Sequence, residues 1–310
     1  MPNNSVFRRC PSGAPVTDPV IEHCRVILEH GSRSFAKAAS LLDPTIRAGS
    51  YQLYAWCRYC DDLIDGQTMG HGQEVVDPVR QREQLTMLWS ETEAAYRGEP
   101  TSELVFQGIA RVVRRHGIPA YQPFELLRGM EMDIEGRQYE TIDQLRVYCY
   151  HVAGVVGVMM AHIMGVKDEA TLQRAEDLGT AMQLTNIARD VVDDARVGRV
   201  YLPLAWLREH GLTPADVGRR AHRGAVADIV QRLLVEAERL YQSGDDGIDH
   251  LPFRCAWSIT AARGIYSDIG NVIRNQGTEA WDRRAMVSGG KKIFWVGRSL
   301  VDTMMRRMTR

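Results

Sequence analysis

Two stretches of this sequence set oxygen donors at a spacing that could do chemistry. "CDDLID", residues 60–65, places Asp61, Asp62 and Asp65 at the end of the apolar, aromatic run "YQLYAWCRY". On a helix, Asp61 and Asp65 project from one face, separated by roughly 6 Å of rise. Arg58 and Tyr54 precede them on the same stripe. In "QLTNIARDVVDDARVGRVYLP", residues 183–203, Asn186, Asp190 and Asp194 recur every four residues, with Gln183 and Arg189 beside them. Either stripe alone reads equally well as a helix solvated on one side. Two of them, each with its own arginine and each embedded in apolar sequence, point to a site.

Facing carboxylates without histidine or cysteine ligands select hard cations. Magnesium keeps several waters and takes a few carboxylates plus phosphate oxygens, so a phosphate-bearing ligand is implied. No Walker loop or G-x-G-x-x-G accompanies the stripes, which argues against a nucleotide. What remains is a diphosphate held by magnesium and arginine at the mouth of an apolar cavity. The D-D-x-x-D frame itself is weak: with 39 acidic residues in 310, chance supplies roughly 0.6 copies. "GDDGIDH", residues 244–250, repeats it at Asp245, Asp246 and Asp249, but its glycines and Pro252 mark a solvated loop.

These stripes must be carried by helices. Helical periodicity recurs almost everywhere and strand alternation almost nowhere. The patterns place helices near 19–30, 32–41, 44–65, 78–97, 101–116, 121–135, 142–165, 168–195, 203–210, 214–220, 223–243, 252–276 and 290–307. Asp18-Pro19, Asp43-Pro44 and Thr213-Pro214 are N-cap signals, and Thr141 with Gln144 reads as a capping box. The expected fold is all-α: one helical bundle spanning 1–310 around a central apolar cavity, with an irregular N-terminus over 1–18. No linker, low-complexity stretch or fixed-period repeat divides it.

The formal net charge of −1 gives no field for nucleic acid. The N-terminus has no apolar core of a secretory signal, and the longest apolar stretch, residues 152–166, is shorter than the ~20 residues of a membrane span. Six cysteines (10, 24, 57, 60, 149, 255) are too scattered for a disulfide framework. Cys57 and Cys60 form a C-x-x-C with no second pair to complete a zinc site. The composition therefore reads as a cytoplasmic protein with reduced packing thiols. His30, His151 and His162 lack metal-ligand spacing and read as structural or solvated, and Trp56, Trp89 and Trp257 as core.

Four motifs in order give the sequence a resemblance over residues 30–270 to the squalene/phytoene synthase family, which joins two isoprenyl diphosphates head to head. They are "GSRSF" (31–35), "YAWCRYCDDLID" (54–65), "YCYHVAGVVG" (148–157) and residues 183–203; the last two are worded closest to the bacterial phytoene synthases. The resemblance implies that Asp61 and Asp65 hold magnesium on one diphosphate, and Asn186, Asp190 and Asp194 on the other, with manganese as a substitute ion. It implies that Ser32, Ser34, Tyr54, Arg58, Gln183, Arg189 and Tyr201 bind diphosphate or steady the metal shell, and that Tyr148 lies near the reacting carbons. Arg33 stands where relatives most often carry lysine.

The reaction implied is condensation of two geranylgeranyl diphosphates through a cyclopropylcarbinyl (prephytoene) diphosphate, ending in proton loss, with no NADPH. Farnesyl-using dehydrosqualene or squalene synthesis is the first rival. A non-catalytic helical binding or scaffold protein with solvated acidic faces is the second. Ala39, one turn beyond Phe35, leaves depth in the expected cavity for a twenty-carbon chain. Gly154, Gly157 and Ala161 form a small-residue edge, read either as close helix packing or as room for a prenyl chain. The tail after residue 290 holds six basic residues against one acidic, with Ile293, Val296, Leu300, Met304 and Met308 on one side. It reads as an inner-membrane contact, an oligomer contact or a loosely ordered end. Other carotenoid-pathway enzymes are the expected protein partners.

Overall fold

Aspartate–proline pairs open the first long helices. α1 (Pro19–Gly31) begins where the Asp18 carboxylate accepts the Val20 N–H at 2.9 Å. α3 (Pro44–Asp65) also starts on proline, but Asp43 makes no cap hydrogen bond and faces Arg254 at 3.3 Å instead. α3 ends at Gly66, whose φ of 61° is the left-handed conformation glycine adopts without strain. Between them, the short α2 (Arg33–Ala39) is capped by the Ser32 hydroxyl, which accepts the Phe35 N–H at 3.3 Å.

The computed structural model describes residues 18–69 and 76–308, and among these there is no strand. The irregular N-terminus expected for 1–18 falls, up to residue 17, outside the described residues, as does Cys10. The remaining helices are α4 (Pro78–Arg97), α5 (Leu104–His116), α6 (Tyr121–Ile134), α7 (Ile142–Cys149), α8 (Val155–Ile163), α9 (Glu169–Arg196), α10 (Leu204–Glu209), α11 (Arg223–Ile248), α12 (Phe253–Gln276) and α13 (Gly289–Met308).

Two core regions flank the centre. One, around Trp56, Leu88, Phe106, Ile109 and Leu127, joins α3 to α4, α5 and α6. The other, around Leu184, Ala188, Val230, Leu233 and Ile265, joins α9 to α11 and α12. A smaller cluster, including Leu28, Ala39, Leu42, Ala161 and Ile248, closes one end. α3 and α9, the bearers of the two stripes, belong to different cores and meet the interior from opposite sides.

Three expectations are corrected. The segment 142–165 is not one continuous α-helix: a π-helical turn at Tyr150–Gly154 separates α7 from α8. Residues 214–220 give two 3-10 turns, Pro214–Asp216 and Arg220–His222, the first closed by a Thr213–Asp216 capping box. α11 continues to Ile248, so the second D-D-x-x-D frame begins on a helix rather than in a loop. Its glycines mark close packing: a Cβ on Gly244 would lie 2.9 Å from Leu178 Cβ, and one on Gly247 2.6 Å from Arg174 Cβ. Asp245 and Asp249 are held by Arg263 at 3.0 Å and Arg306 at 3.2 Å, away from the acidic cavity described below.

The small-residue edge has the same physical cause at its glycines, while Gly157 and Ala161 also line the apolar cavity described below. A Cβ on Gly157 would lie 2.3 Å from the Ala175 carbonyl, and one on Gly179 2.5 Å from the Ala153 carbonyl. Backbones of α8 and α9 therefore touch. The cysteines among the described residues are free. Trp56 is fully buried, Trp89 stacks on Phe124 with ring centroids 4.9 Å apart, and Trp257 donates to the Val296 carbonyl at 2.9 Å. His151 sits 3.0 Å from Glu125 and His162 3.1 Å from Gln122, while His30 contacts its own helix at Val26. His151 and His162 are thus packed and partnered, whereas His30 is exposed.

Candidate active site

Two cavities share a boundary between α3 and α9. One is apolar, about 340 Å³, walled by α2, α3, α8, α9, α11 and α12; Phe35, Ala39, Met160, Ala161, Ile259 and Tyr266 are among its lining. The other is polar, about 450 Å³, and holds Asp61, Asp65, Asp133, Asp190, Asp194, Arg189 and Arg199. Arg58, Asp61, Val152, Gln183 and Asn186 line both. A charged chamber thus passes directly into a greasy one.

The α3 stripe reaches this boundary because apolar neighbours fix its rotation: Trp56 and Cys60 are buried on the other side. Tyr54 is clamped by Gly31, where an added Cβ would lie 2.7 Å from the tyrosine oxygen. The Arg58 guanidinium lies 5.8 Å from the Tyr54 ring centroid and 3.9 Å from Asp61. Asp62, the middle aspartate, accepts the Met69 N–H at 2.7 Å and so ties down the turn after the helix. Asp65 pairs with Arg199 at 2.7 Å.

On α9, Asp190 takes Arg189 through Nε at 2.9 Å and Nη2 at 2.5 Å. It also takes Arg284, through Nε and Nη2 at 3.1 Å each. Arg284 arrives from the segment between α12 and α13, which Trp281 pins to α9 by donating to the Ala188 carbonyl at 3.0 Å. Gln183 accepts from Asn186 Nδ2 at 3.2 Å.

The carboxyl groups differ sharply. Burial pushes Asp61 up to about 7 despite Arg58. Its side chain is 43% exposed and lines both cavities. Burial, then the Asp190 charge, pushes Asp194 well above the usual carboxylate range. For Asp190 burial acts in the same sense, but hydrogen bonds and charge from Arg189 and Arg284 outweigh it and hold the group below its ordinary value. Burial raises Asp133 to about 6, against the opposing pull of Arg199 and the Tyr201 hydrogen bond.

All five residues expected to hold metal line the polar cavity, as do Arg58, Tyr148, Gln183, Arg189 and Tyr201; Phe35, Ala39 and Tyr54 line the apolar one. Ser32 and Ser34 line neither, and Ser32 is engaged as the α2 cap. Among the described residues no group of three His, Cys, Asp or Glu side chains is arranged to hold a metal ion by itself. The donor set nevertheless fits a magnesium-type ion that shares its coordination with water and phosphate. Its donors are oxygens, Asn186 Oδ1 is buried without a hydrogen-bond partner, and Asp61 and Asp194 are carboxyls that a nearby cation would ionise.

Sequence reasoning missed Asp133, Arg199, Tyr266 and Arg284. Arg199 lies in the 183–203 motif, two residues before Tyr201, but off the four-residue spacing of Asn186, Asp190 and Asp194. Asp133 lies alone on α6, and Arg284 lies beyond the last recognisable motif; nothing in their local pattern marks them.

The family model for squalene/phytoene synthase matches residues 28–291 of the chain. A phytoene synthase from Pseudescherichia vulneris is 45% identical over 89% of each chain. A 15-cis-phytoene synthase from a Paracoccus species is 46% identical over 91% of each. Among solved structures, a dehydrosqualene synthase in complex with ligand superposes with a TM-score of 0.81 at 27% identity, covering 90% of this chain and 95% of its own. A squalene synthase from Alicyclobacillus acidocaldarius gives 0.73 at 25% identity, covering 83% and 94%.

Proposed function

The chain belongs to the squalene/phytoene synthase family, and on that premise we propose that it is a 15-cis-phytoene synthase, a prenyltransferase that condenses two geranylgeranyl diphosphates. The observation that carries this reading is the meeting of the α3 and α9 stripes in one polar chamber that opens into an apolar one. A long isoprenyl diphosphate has that same division of character.

The chemical difficulty is breaking an allylic carbon–oxygen bond without a strong nucleophile. Arg58, Arg189 and Arg199 place fixed positive charge where a departing diphosphate gathers negative charge, and preorganised charge of this kind lowers a barrier most where water is excluded. Asp61, Asp65, Asn186, Asp190 and Asp194 would hold magnesium, which supplies further charge neutralisation when bound. Leu53, Val156, Met160 and Ile259 in the apolar wall keep water from the allylic cation. The double bond of the second chain, lying in the same cavity, is then the nearest electron pair.

Incubation with geranylgeranyl or farnesyl diphosphate and magnesium, with and without NADPH, tests the reading. Phytoene is expected from the twenty-carbon substrate, independent of NADPH and abolished by chelator. A thirty-carbon hydrocarbon as the main product would overturn it.

We further propose reversible contact of α13 with an anionic membrane surface. No helix among the described residues is long and apolar enough to cross a membrane. α13 packs on α12 through Trp295, Ser299 and Thr303, the last two almost fully buried. That rotation revises the apolar side read from sequence: Val296 and Leu300 are half-buried, and the exposed strip is Ile293, Phe294, Val301, Met304, Met305 and Met308. The tail is thus an ordered helix with its greasy side outward, edged by Arg298 and Arg307. Such a face suits the headgroup boundary of acidic lipid, where a hydrocarbon product must go. Phe294→Glu with Met304→Glu should abolish salt-sensitive co-sedimentation with phosphatidylglycerol vesicles while the Tm holds. Equal sedimentation of wild type and variant would remove this proposal.

A further inference from the structure

Asp133 makes two contacts that nothing in the acidic stripes requires. Its Oδ2 accepts from the Tyr148 hydroxyl at 2.8 Å, and its Oδ1 accepts from the Tyr201 hydroxyl at 2.8 Å. The three residues come from α6, α7 and the segment before α10, and all line the polar cavity. The two phenol rings stack with centroids 5.0 Å apart and planes 19° apart, and Tyr139 flanks Tyr148 at 5.3 Å. Arg199, whose charge also acts on Asp133, is engaged with Asp65 at 2.7 Å.

A phenol has a single O–H to donate. Both of these are directed at one carboxylate, and hydrogen bonds to an ionised acceptor are about twice as strong as neutral ones. We infer that Asp133 is a positioning residue that commits Tyr148 and Tyr201 to donate away from the chamber, so that the chamber meets their oxygen lone pairs. This rests on the prenyl-transfer reading above. An electron-rich oxygen attracts a cationic intermediate. A free hydroxyl in the same place would turn its partly positive proton toward the cation and weaken that attraction.

The amide of Asp133→Asn offers one acceptor oxygen and two N–H donors. One tyrosine must then turn, and its O–H is released into the chamber. The loss should fall on kcat rather than KM, because the cation exists only after substrate has bound. Asp133→Asn is expected to lower kcat about 10²-fold, with KM changed less than about threefold. Asp133→Glu, which keeps two acceptor oxygens, should recover at least about tenfold of that loss.

A mutant cycle separates this role from direct contact with ion or substrate. If Asp133 acts through the tyrosines, adding Asp133→Asn to the Tyr148→Phe/Tyr201→Phe background costs nothing further. A triple variant slower by the full Asp133→Asn factor overturns the inference, and so does a loss carried in KM. Should Asp133→Asn fail to fold by circular dichroism, the same cycle is run with Asp133→Glu, whose smaller loss must likewise vanish in the phenylalanine background. Turnover is followed as diphosphate release from whichever allylic diphosphate wild type accepts, so a farnesyl preference would overturn the chain-length reading and leave the cycle readable. No turnover of either substrate overturns both.

Discussion

Asp61→Asn is expected to lower turnover by about 10³-fold while raising the Tm of the metal-free protein at pH 8. The two effects have one cause. Asp61 belongs to the chamber wall, its neighbours include Asp62 and Asp65, and Arg58 at 3.9 Å compensates it poorly. Its folded-state value of about 7, against 3.8 in the unfolded chain, means that the native protein holds a proton the unfolded chain has already released. Stability therefore falls as pH rises across that window, and above it the ionised group opposes folding in full. An amide of the same shape removes that opposition. It also removes the anionic oxygen that would bind a divalent ion. Magnesium with inorganic diphosphate should stabilise wild type by about 2.7 kcal/mol at a hundredfold excess over Kd, and the variant by clearly less.

Asp190→Asn supplies the contrast. Arg189 and Arg284 hold this carboxyl below its usual range, so its contribution is present at neutral pH and is lost only as pH falls through the folded value. Its removal leaves two guanidinium groups short of a partner and should cost roughly 1–3 kcal/mol at pH 8 in addition to activity. Opposite shifts in Tm for two variants that are both inactive would be hard to obtain from general damage to the fold. Equal destabilisation by both would defeat the account of the chamber given above.

The local part of this site was legible in the sequence; the convergent part was not. Four-residue spacing on one helix is a local rule, so Asp61, Asp65, Asn186, Asp190 and Asp194 could be placed before any fold was known. Which helices face each other is not local. Arg199 answers Asp65 from just beyond the C-terminal end of α9, Arg284 answers Asp190 across 94 positions of chain, and Asp133 binds tyrosines from two other segments. None of these has a periodic companion. The π-helical turn at Tyr150–Gly154 was hidden for a related reason, since no proline or polar interruption marks it. The glycines at 244 and 247 misled because a breaker in a turn and a contact point between close helices use the same residue.

Ala39→Phe is expected to move substrate preference from geranylgeranyl toward farnesyl diphosphate. Ala39 lines the apolar cavity and is 5% exposed, in the cluster that closes one end with Leu28, Leu42, Ala161 and Met164. Phe35, one turn away on α2, stacks on Tyr266 with centroids 5.3 Å apart, so the added ring cannot readily turn toward it. Ala38 is tied to α12, its carbonyl accepting from Ser258 at 2.9 Å, and this restricts any sliding of α2. The phenyl group must therefore occupy the cavity. Each methylene of fit is worth only about 1–3 kcal/mol, so graded attraction discriminates chain length weakly and a steric floor does so strongly. The fall in kcat/KM should be about 10²-fold for the twenty-carbon substrate and less than about tenfold for the fifteen-carbon one, with overpacking costing roughly 1–3 kcal/mol of stability. A parallel loss on both substrates would mean that the ring disturbs the chamber itself, and unchanged preference would mean that the long chain does not pass Ala39 at all.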